Sequence, residues 1–327
     1  VTEDELVAAI RALIAECDPK HGREASAVEA GDDAALWQPS RSHRSAISTD
    51  MLVEGVDFTR AAMSLEDAGW RAMAANVSDL CAMGARPVLA TVALGLPEAT
   101  SMQEVLELYR GLASCAGACK LAIVGGDLSR AGELTIAIAI VGEVRPSNAK
   151  LRAGGRPGDV LAVTAPLGAA RAGLELTRNA VTIGEPLAQE ALGAFRRPQP
   201  RIAEGRFLGA SRNVTAMMDL SDGLSTDVDR LAAASGCAAE IDAVPVAPSA
   251  RACAQALGEE PQSFALLGGE DFELLVAVRS RAFRHLAARY AKHFKRDLNR
   301  VGVLATGSGV FWKGSSLERS GWDHFAR

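Results

Sequence analysis

Lysine is scarce in this chain. Only six occur in 327 residues (Lys20, Lys120, Lys150, Lys292, Lys295 and Lys313), and none lies in a glycine-rich loop. No Gly-x-x-x-x-Gly-Lys-[Ser/Thr] run exists, which excludes a P-loop nucleotide enzyme. The protein-kinase signature set, the Gly-x-Ser-x-Gly elbow and the Gly-x-Gly-x-x-Gly dinucleotide fingerprint are missing as well. Histidine is sparse too: the five are scattered, without zinc-ligand spacing. The six cysteines (Cys17, Cys81, Cys115, Cys119, Cys237 and Cys253) form no Cys-x-x-Cys pair. Most sit in apolar helical patterns, where a free thiol behaves as a small hydrophobe, and a reducing cytoplasm is expected. No apolar run reaches the roughly 18–20 residues of a membrane span; the longest, Leu134 to Val141, is strand-sized. The first residues, Val1-Thr2-Glu3-Asp4-Glu5, are acidic, so no signal peptide is expected. A net charge of -5 gives no basic field for nucleic acid.

Acids placed beside glycine, serine or threonine at the ends of hydrophobic runs are what the chain does have. They are Gly31-Asp32-Asp33, Ser48-Thr49-Asp50, Gly125-Gly126-Asp127, Asp219-Leu220-Ser221-Asp222-Gly223 and Gly268-Gly269-Glu270-Asp271. A helical pattern adds Asn76-Val77-Ser78-Asp79. Taken singly, each is ordinary turn or helix-cap chemistry. Taken together they place like charges close to one another, and neighbouring carboxylates repel unless a cation offsets them. Oxygen ligands are what Mg²⁺ requires, and cations gathered this way usually serve a polyphosphate. ATP held through metals and backbone amides, rather than by a lysine, is the leading expectation.

Length and composition point to two globular domains. The polar stretch Arg145–Gly158, with Pro146, Pro157 and three glycines, is the best boundary, giving domains 1–147 and 148–327. Periodicity predicts helices over 3–16, 66–83, 102–118, 168–177, 201–209, 224–234 and 281–294. Strands are predicted over 45–50, 88–94, 121–124, 134–144, 160–164, 214–219, 239–242, 272–278 and 301–304. Strands and helices mix without strict alternation, so the expected class is α+β built from two α/β domains. In helix 66–83 an alanine stripe (Ala68, Ala72, Ala75, Ala82) carries Asp79 opposite Trp70. Such a stripe lets another element approach closely and presents the acid to it; the alternative is a solvated aspartate on an alanine-rich face.

The ordered set of motifs resembles the thiamine-monophosphate kinase family. It comprises Gly-Asp-Asp, Ser-Thr-Asp-x-Leu-Val-Glu-Gly, Asn-Val-Ser-Asp-Leu-x-x-Met-Gly-Ala-x-Pro, Gly-Gly-Asp, Arg-x-Gly-x-x-Pro-Gly-Asp, Asp-Leu-Ser-Asp-Gly-Leu, Gly-Gly-Glu-Asp-x-Glu-Leu and the terminal Gly-Trp-Asp-His-Phe. The wider superfamily includes aminoimidazole ribonucleotide synthetase, selenophosphate synthetase and a hydrogenase-maturation protein. The resemblance implies a homodimer whose N-terminal sheets close into a barrel, a C-terminal mixed sheet flanked by helices, and ATP lying between the domains with several Mg²⁺ ions. Carried over by position, it implies Asp33, Ser48, Thr49, Asp50, Asp79, Asp127, Asp219 and Asp222 as metal ligands. It implies Tyr109, Gly126, Asp127, Arg152 and Ser221 as ATP contacts, and Glu270 and Trp322 as substrate contacts. Asp50, Asp127, Asp222 and Arg152 would carry catalysis.

The implied reaction is direct in-line phosphoryl transfer to thiamine monophosphate, giving thiamine diphosphate and ADP. An anionic acceptor needs no strong base, so positioning and charge neutralisation suffice. The family reads Leu-Val-Glu-Gly-x-His-Phe where this chain has Leu52-Val53-Glu54-Gly55-Val56-Asp57-Phe58, which puts Asp57 on the acceptor side. Its Gly-Glu-Phe-x-Leu-Ile signature is replaced by Asp4-Glu5-Leu6-Val7. Two alternatives stay open: a paralogue acting on another small acceptor, and a nucleotide-binding protein without turnover. Residues 17–30 are a candidate lid.

Overall fold

The structure is a computed structural model that describes residues 2–17, 34–179 and 181–317. Asp33, Trp322 and most of the candidate lid lie outside the described residues. The chain divides into two compact units, Val1–Leu80 with Ala85–Pro146, and Cys81–Gly84 with Ser147–Arg327.

The first unit runs α1 (Glu3–Cys17), β1 (Arg44–Val53), α2 (Leu65–Ala82), β2 (Arg86–Leu96), α3 (Met102–Cys119), β3 (Ala122–Arg130) and β4 (Thr135–Val144). Its four-stranded sheet has the order β1-β4-β2-β3; only β2 and β3 are parallel. Alternation sorts the sheet into two faces. Ile136, Ile138 and Ile140 of β4 are fully buried, whereas Ile47 and Met51 of β1 are 73% and 58% exposed. Ser101 starts α3 with a complete capping box to Glu104. The helices α2 and α3 cross through Gly69 and Gly111: a methyl group on Gly111 would stand 1.8 Å from the Glu66 carbonyl oxygen, and one on Gly69 would stand 2.1 Å from that of Leu108.

One strand exceeds its sequence expectation. β3 does not stop at Val124 but runs through Gly125-Gly126-Asp127 to Arg130. Gly126 here serves a close strand approach instead of a turn, since a Cβ there would lie 1.9 Å from the Val92 carbonyl oxygen.

In the second unit the elements are β5 (Val160–Val163), α4 (Ala169–Thr177), α5 (Leu187–Arg196), α6 (Ile202–Gly209), β6 (Val214–Asp219), α7 (Leu224–Ala234) and β7 (Ala238–Ile241). They continue as α8 (Pro248–Leu257), α9 (Pro261–Leu267), β8 (Leu274–Val278), α10 (Ser280–Phe294), β9 (Asn299–Ala305), β10 (Val310–Trp312) and β11 (Ser315–Leu317). The seven strands lie in the order β11-β10-β7-β9-β5-β8-β6, with β10 and β7 parallel and the other pairs antiparallel. Leu224, Val228 and Leu231 of α7 pack against Met218, Leu275 and Val301 of the sheet. The two mixed α/β units agree with the expected class. Helices α5, α8 and α9 and the β10–β11 hairpin are additions to the sequence reading. Helix α8 packs through Ala250, Cys253 and Ala254, residues too small to give a strong apolar period.

Candidate active site

Strand β1 and helix α2 build the first polar constellation. Ser48 and Asp50 alternate with the exposed Ile47, Thr49 and Met51, so they face the helix. The Ser48 hydroxyl donates to Asp79 Oδ2, and the Asp50 N–H donates to Asn76 Oδ1 at 3.0 Å. The amide of Asn76 is itself fixed by donation to the Ala72 carbonyl at 2.9 Å. Asp79 is therefore half-buried against β1, and the alanine stripe is what lets the strand come so close. The Thr49 hydroxyl donates to the Ile138 carbonyl at 2.8 Å. Ser48, Asn76 and Asp79 bring oxygens together on the helix side of β1, whereas Thr49 lies on the opposite face.

Gly126 and Asp127 stand elsewhere on the same sheet. The register aligns Asp50 with Ile138, Val92 and Gly126, and Met51 with Ala137, Ala93 and Asp127. Three strand spacings separate Asp50 from that edge, about 14 Å. Asp127 shares the exposed face of Met51, whereas Asp50 faces α2. Tyr109 is on the buried side of α3, with 3% of its surface exposed, and burial raises its phenol pKa. Asp57 closes the turn after β1: its carboxylate accepts the Val53 N–H at 2.8 Å. The turn also needs Gly55, at φ +86°.

A second constellation belongs to the second unit. Asp219, at the end of β6, is buried. The following loop is threaded by the 268–272 segment, where Glu270 N–H donates to the Ser221 carbonyl at 2.7 Å and Phe272 N–H to that of Leu220 at 2.9 Å. Glu270 and Phe272 take φ of +67° and +48°, and Gly223 takes +104°. Non-glycine residues there cost energy that the surrounding bonds must over-determine. Asp227, buried on α7, accepts the N–H groups of Ser221 and Asp222 at 3.1 and 3.0 Å. Burial, with the Asp222 charge added, pushes the Asp227 carboxyl up to about 6 against the opposing pull of Arg230. Arg230 Nη1 donates to Asp222 Oδ2 and to Asp227 Oδ1. Asp271 accepts the N–H of Gly168 at 2.7 Å and of Ala170 at 3.4 Å, which ties this segment to the start of α4. Arg152 is exposed, and its carbonyl accepts the Ser235 hydroxyl.

Asn76, Asp227, Arg230 and Asp271 are the residues that sequence reasoning left out. Asn76 and Asp271 sit inside quoted motifs, and Asp227 and Arg230 have the i, i+3 spacing of a helical ion pair, which was the available signal. Among the described residues, no three histidine, cysteine, aspartate or glutamate side chains converge as a metal cage.

The chain matches the AIR synthase related protein family: the N-terminal domain of that family matches residues 31–144 and the C-terminal domain residues 156–311. Thiamine-monophosphate kinase of Rhodopirellula baltica is 38% identical over 297 residues, 88% of this chain and 86% of that protein. The crystal structure of thiamine-monophosphate kinase from Stenotrophomonas maltophilia superposes with a TM-score of 0.83 at 31% identity, covering 97% of this chain and 98% of that one. AaThiL complexed with AMPPCP and TMP superposes with a TM-score of 0.78 at 32% identity, covering 88% and 89%. The chain belongs to the thiamine-monophosphate kinase family.

Proposed function

We propose that this protein transfers the γ-phosphoryl group of ATP to thiamine monophosphate, giving thiamine diphosphate and ADP. The observation that carries the reading is likeness over 88% of the chain to a relative complexed with an ATP analogue and TMP, together with the Ser48–Asp50–Asn76–Asp79 constellation. The donor chemistry of Ser48 and Asp79 fits Mg²⁺; with them, Asp33, Thr49, Asp50, Asp127, Asp219 and Asp222 are proposed as metal ligands. When bound, the metal supplies positive charge between two phosphate groups that would otherwise repel. The chain's own residues orient and exclude. Asn76 fixes the backbone of Asp50, Ser48 aims Asp79, and Asp227 fixes the Ser221–Asp222 amides.

Tyr109, Gly126, Asp127, Arg152 and Ser221 are proposed for the nucleotide, and Asp57, Glu270 and Trp322 for the acceptor. Arg152 is the exposed guanidinium of that set, a group suited to forked phosphate contacts. We propose a homodimer that pairs through the face carrying Ile47 and Met51, closing the two sheets into a barrel. Asp127 stands on that face, so it is the acid best placed to reach a second copy. Incubation with Mg-ATP and thiamine monophosphate should yield thiamine diphosphate and ADP in equal amounts. ADP without thiamine diphosphate would move the reading to another acceptor, and neither product at saturating Mg²⁺ would end it.

A further inference from the structure

Arg230 is placed unusually for a surface arginine. One nitrogen, Nη1, serves two carboxylates, Asp222 Oδ2 and Asp227 Oδ1. The two acids are not equivalent. The Asp227 side chain is fully buried, and its second oxygen is committed to the Ser221 and Asp222 N–H groups. The Asp222 side chain is 25% exposed, and no bond to its Oδ1 is found among the described residues. Asp227 therefore cannot leave without opening the loop, whereas Asp222 can turn away by breaking one contact. The guanidinium also offsets repulsion between the two acids, which lets them stand together without a metal.

We infer that Arg230 is a positioning residue that holds the Asp222 carboxylate until a divalent cation takes it, and thereby sets how much cation this loop requires. The inference rests on the reading of Asp222 as a cation ligand. The exchange leaves Arg230 tied to Asp227 one helical turn away, so the loop keeps its shape while Asp222 changes partner. Neither the buried acid nor the backbone has to move.

Mn²⁺ binding followed by electron paramagnetic resonance, without nucleotide, tests this on the full chain. The variants are Arg230→Gln, Arg230→Lys, Asp222→Asn and the Arg230→Gln/Asp222→Asn double variant. The part of Mn²⁺ binding that Asp222→Asn abolishes should tighten about two- to fivefold in Arg230→Gln, the scale of losing one competing, partly exposed ion pair. Arg230→Lys should stay near wild type, and the double variant should show no gain over Asp222→Asn. A melting curve checks that each variant is folded. Overturning results are an unchanged or weaker Asp222-dependent affinity in Arg230→Gln, a gain that survives in the double variant, or no Asp222-dependent Mn²⁺ in any protein. The Mg²⁺ concentration for half-maximal turnover should fall by a similar factor in Arg230→Gln. Wild-type protein that binds Mn²⁺ as described but transfers no phosphoryl group would sink the proposed function and leave the Arg230 exchange standing.

Discussion

The two units hold their acids by opposite means. In the first, the strongly shifted carboxyls are scaffold groups pulled down by partners. Glu104 is held at about 2 by the backbone and hydroxyl of Ser101 and then by Arg60. Burial works against Glu143, yet Arg86 and Ser40 still hold it at about 2. In the second unit Glu260 is also lowered, but the strongly shifted acids lie against the candidate loop and are pushed up. Asp227 reaches about 6, and Asp271, raised by burial against the pull of the Gly168 and Ala170 N–H groups, reaches about 7. The candidate ligands differ in the same way. The Asp79 carboxylate meets a hydroxyl, whereas that of Asp222 meets an arginine. In the second unit the charge of Asp222 is offset within the chain itself, by Arg230.

Substitutions can break this contrast. The largest effect is expected at the buried ion pair of the second unit, where Arg201 grips Glu273 with two nitrogens and Thr164 donates to Glu273 at 2.6 Å. Glu273→Ala takes the main partner from the half-buried Arg201 guanidinium, and urea unfolding should show a loss of about 3 kcal/mol. In the first unit the matching removal should cost turnover and not stability. Asp79→Asn or Asp50→Asn should lower kcat by about 10²–10³, the scale of losing one preorganised charge contact. Their melting temperatures should match wild type, and unfolding of either variant would make these acids structural. Gly69→Ala forces α2 off the Leu108 carbonyl and should cost about 1–3 kcal/mol in the first unit.

The pH response sharpens the contrast. The Asp271 pKa rises from an ordinary 3.8 to about 7 on folding, so the folded state binds its proton more tightly. Its contribution to stability is then fully present below pH 4 and is lost as pH climbs through 7. Amide-exchange protection of α4 and the 268–272 segment should rise between pH 8 and pH 5.5, and Asp271→Asn should flatten that rise. The smallest effect is expected from Asp57→His. The turn loses its Val53 N–H acceptor, roughly 0.5–1.5 kcal/mol. The KM for thiamine monophosphate should shift while that for ATP stays put; equal shifts would place Asp57 outside the acceptor site.

Much of the frame was legible because large apolar residues mark it. Trp70, Met73, Val77 and Leu80 give α2, and Ile136, Ile138 and Ile140 give β4. Helices packed through alanine and cysteine, such as α8, leave too faint a period. β3 was cut short because glycine punctuates turns and also permits close strand contact, and only the partner strand decides which. At the candidate site, Ser48, Asp50 and Asp79 were readable as motif residues, and the alanine stripe pointed to the close approach of another element without saying which. Asp127 on the exposed face depends on register across three strands, which no local pattern encodes. Arg230 was hidden because a cation eight residues past Asp222 becomes its partner only once α7 folds back on the loop.

A crystal structure of the protein with AMPPCP, Mg²⁺ and thiamine monophosphate tests the central claim most directly. The account predicts metal within about 2.1 Å of carboxylate oxygens of Asp50 and Asp79, bridging to the triphosphate, with Asp222 turned from Arg230 toward a cation. A triphosphate bound away from these residues, with the Ser48–Asp79 and Asp222–Arg230 contacts intact, would contradict it.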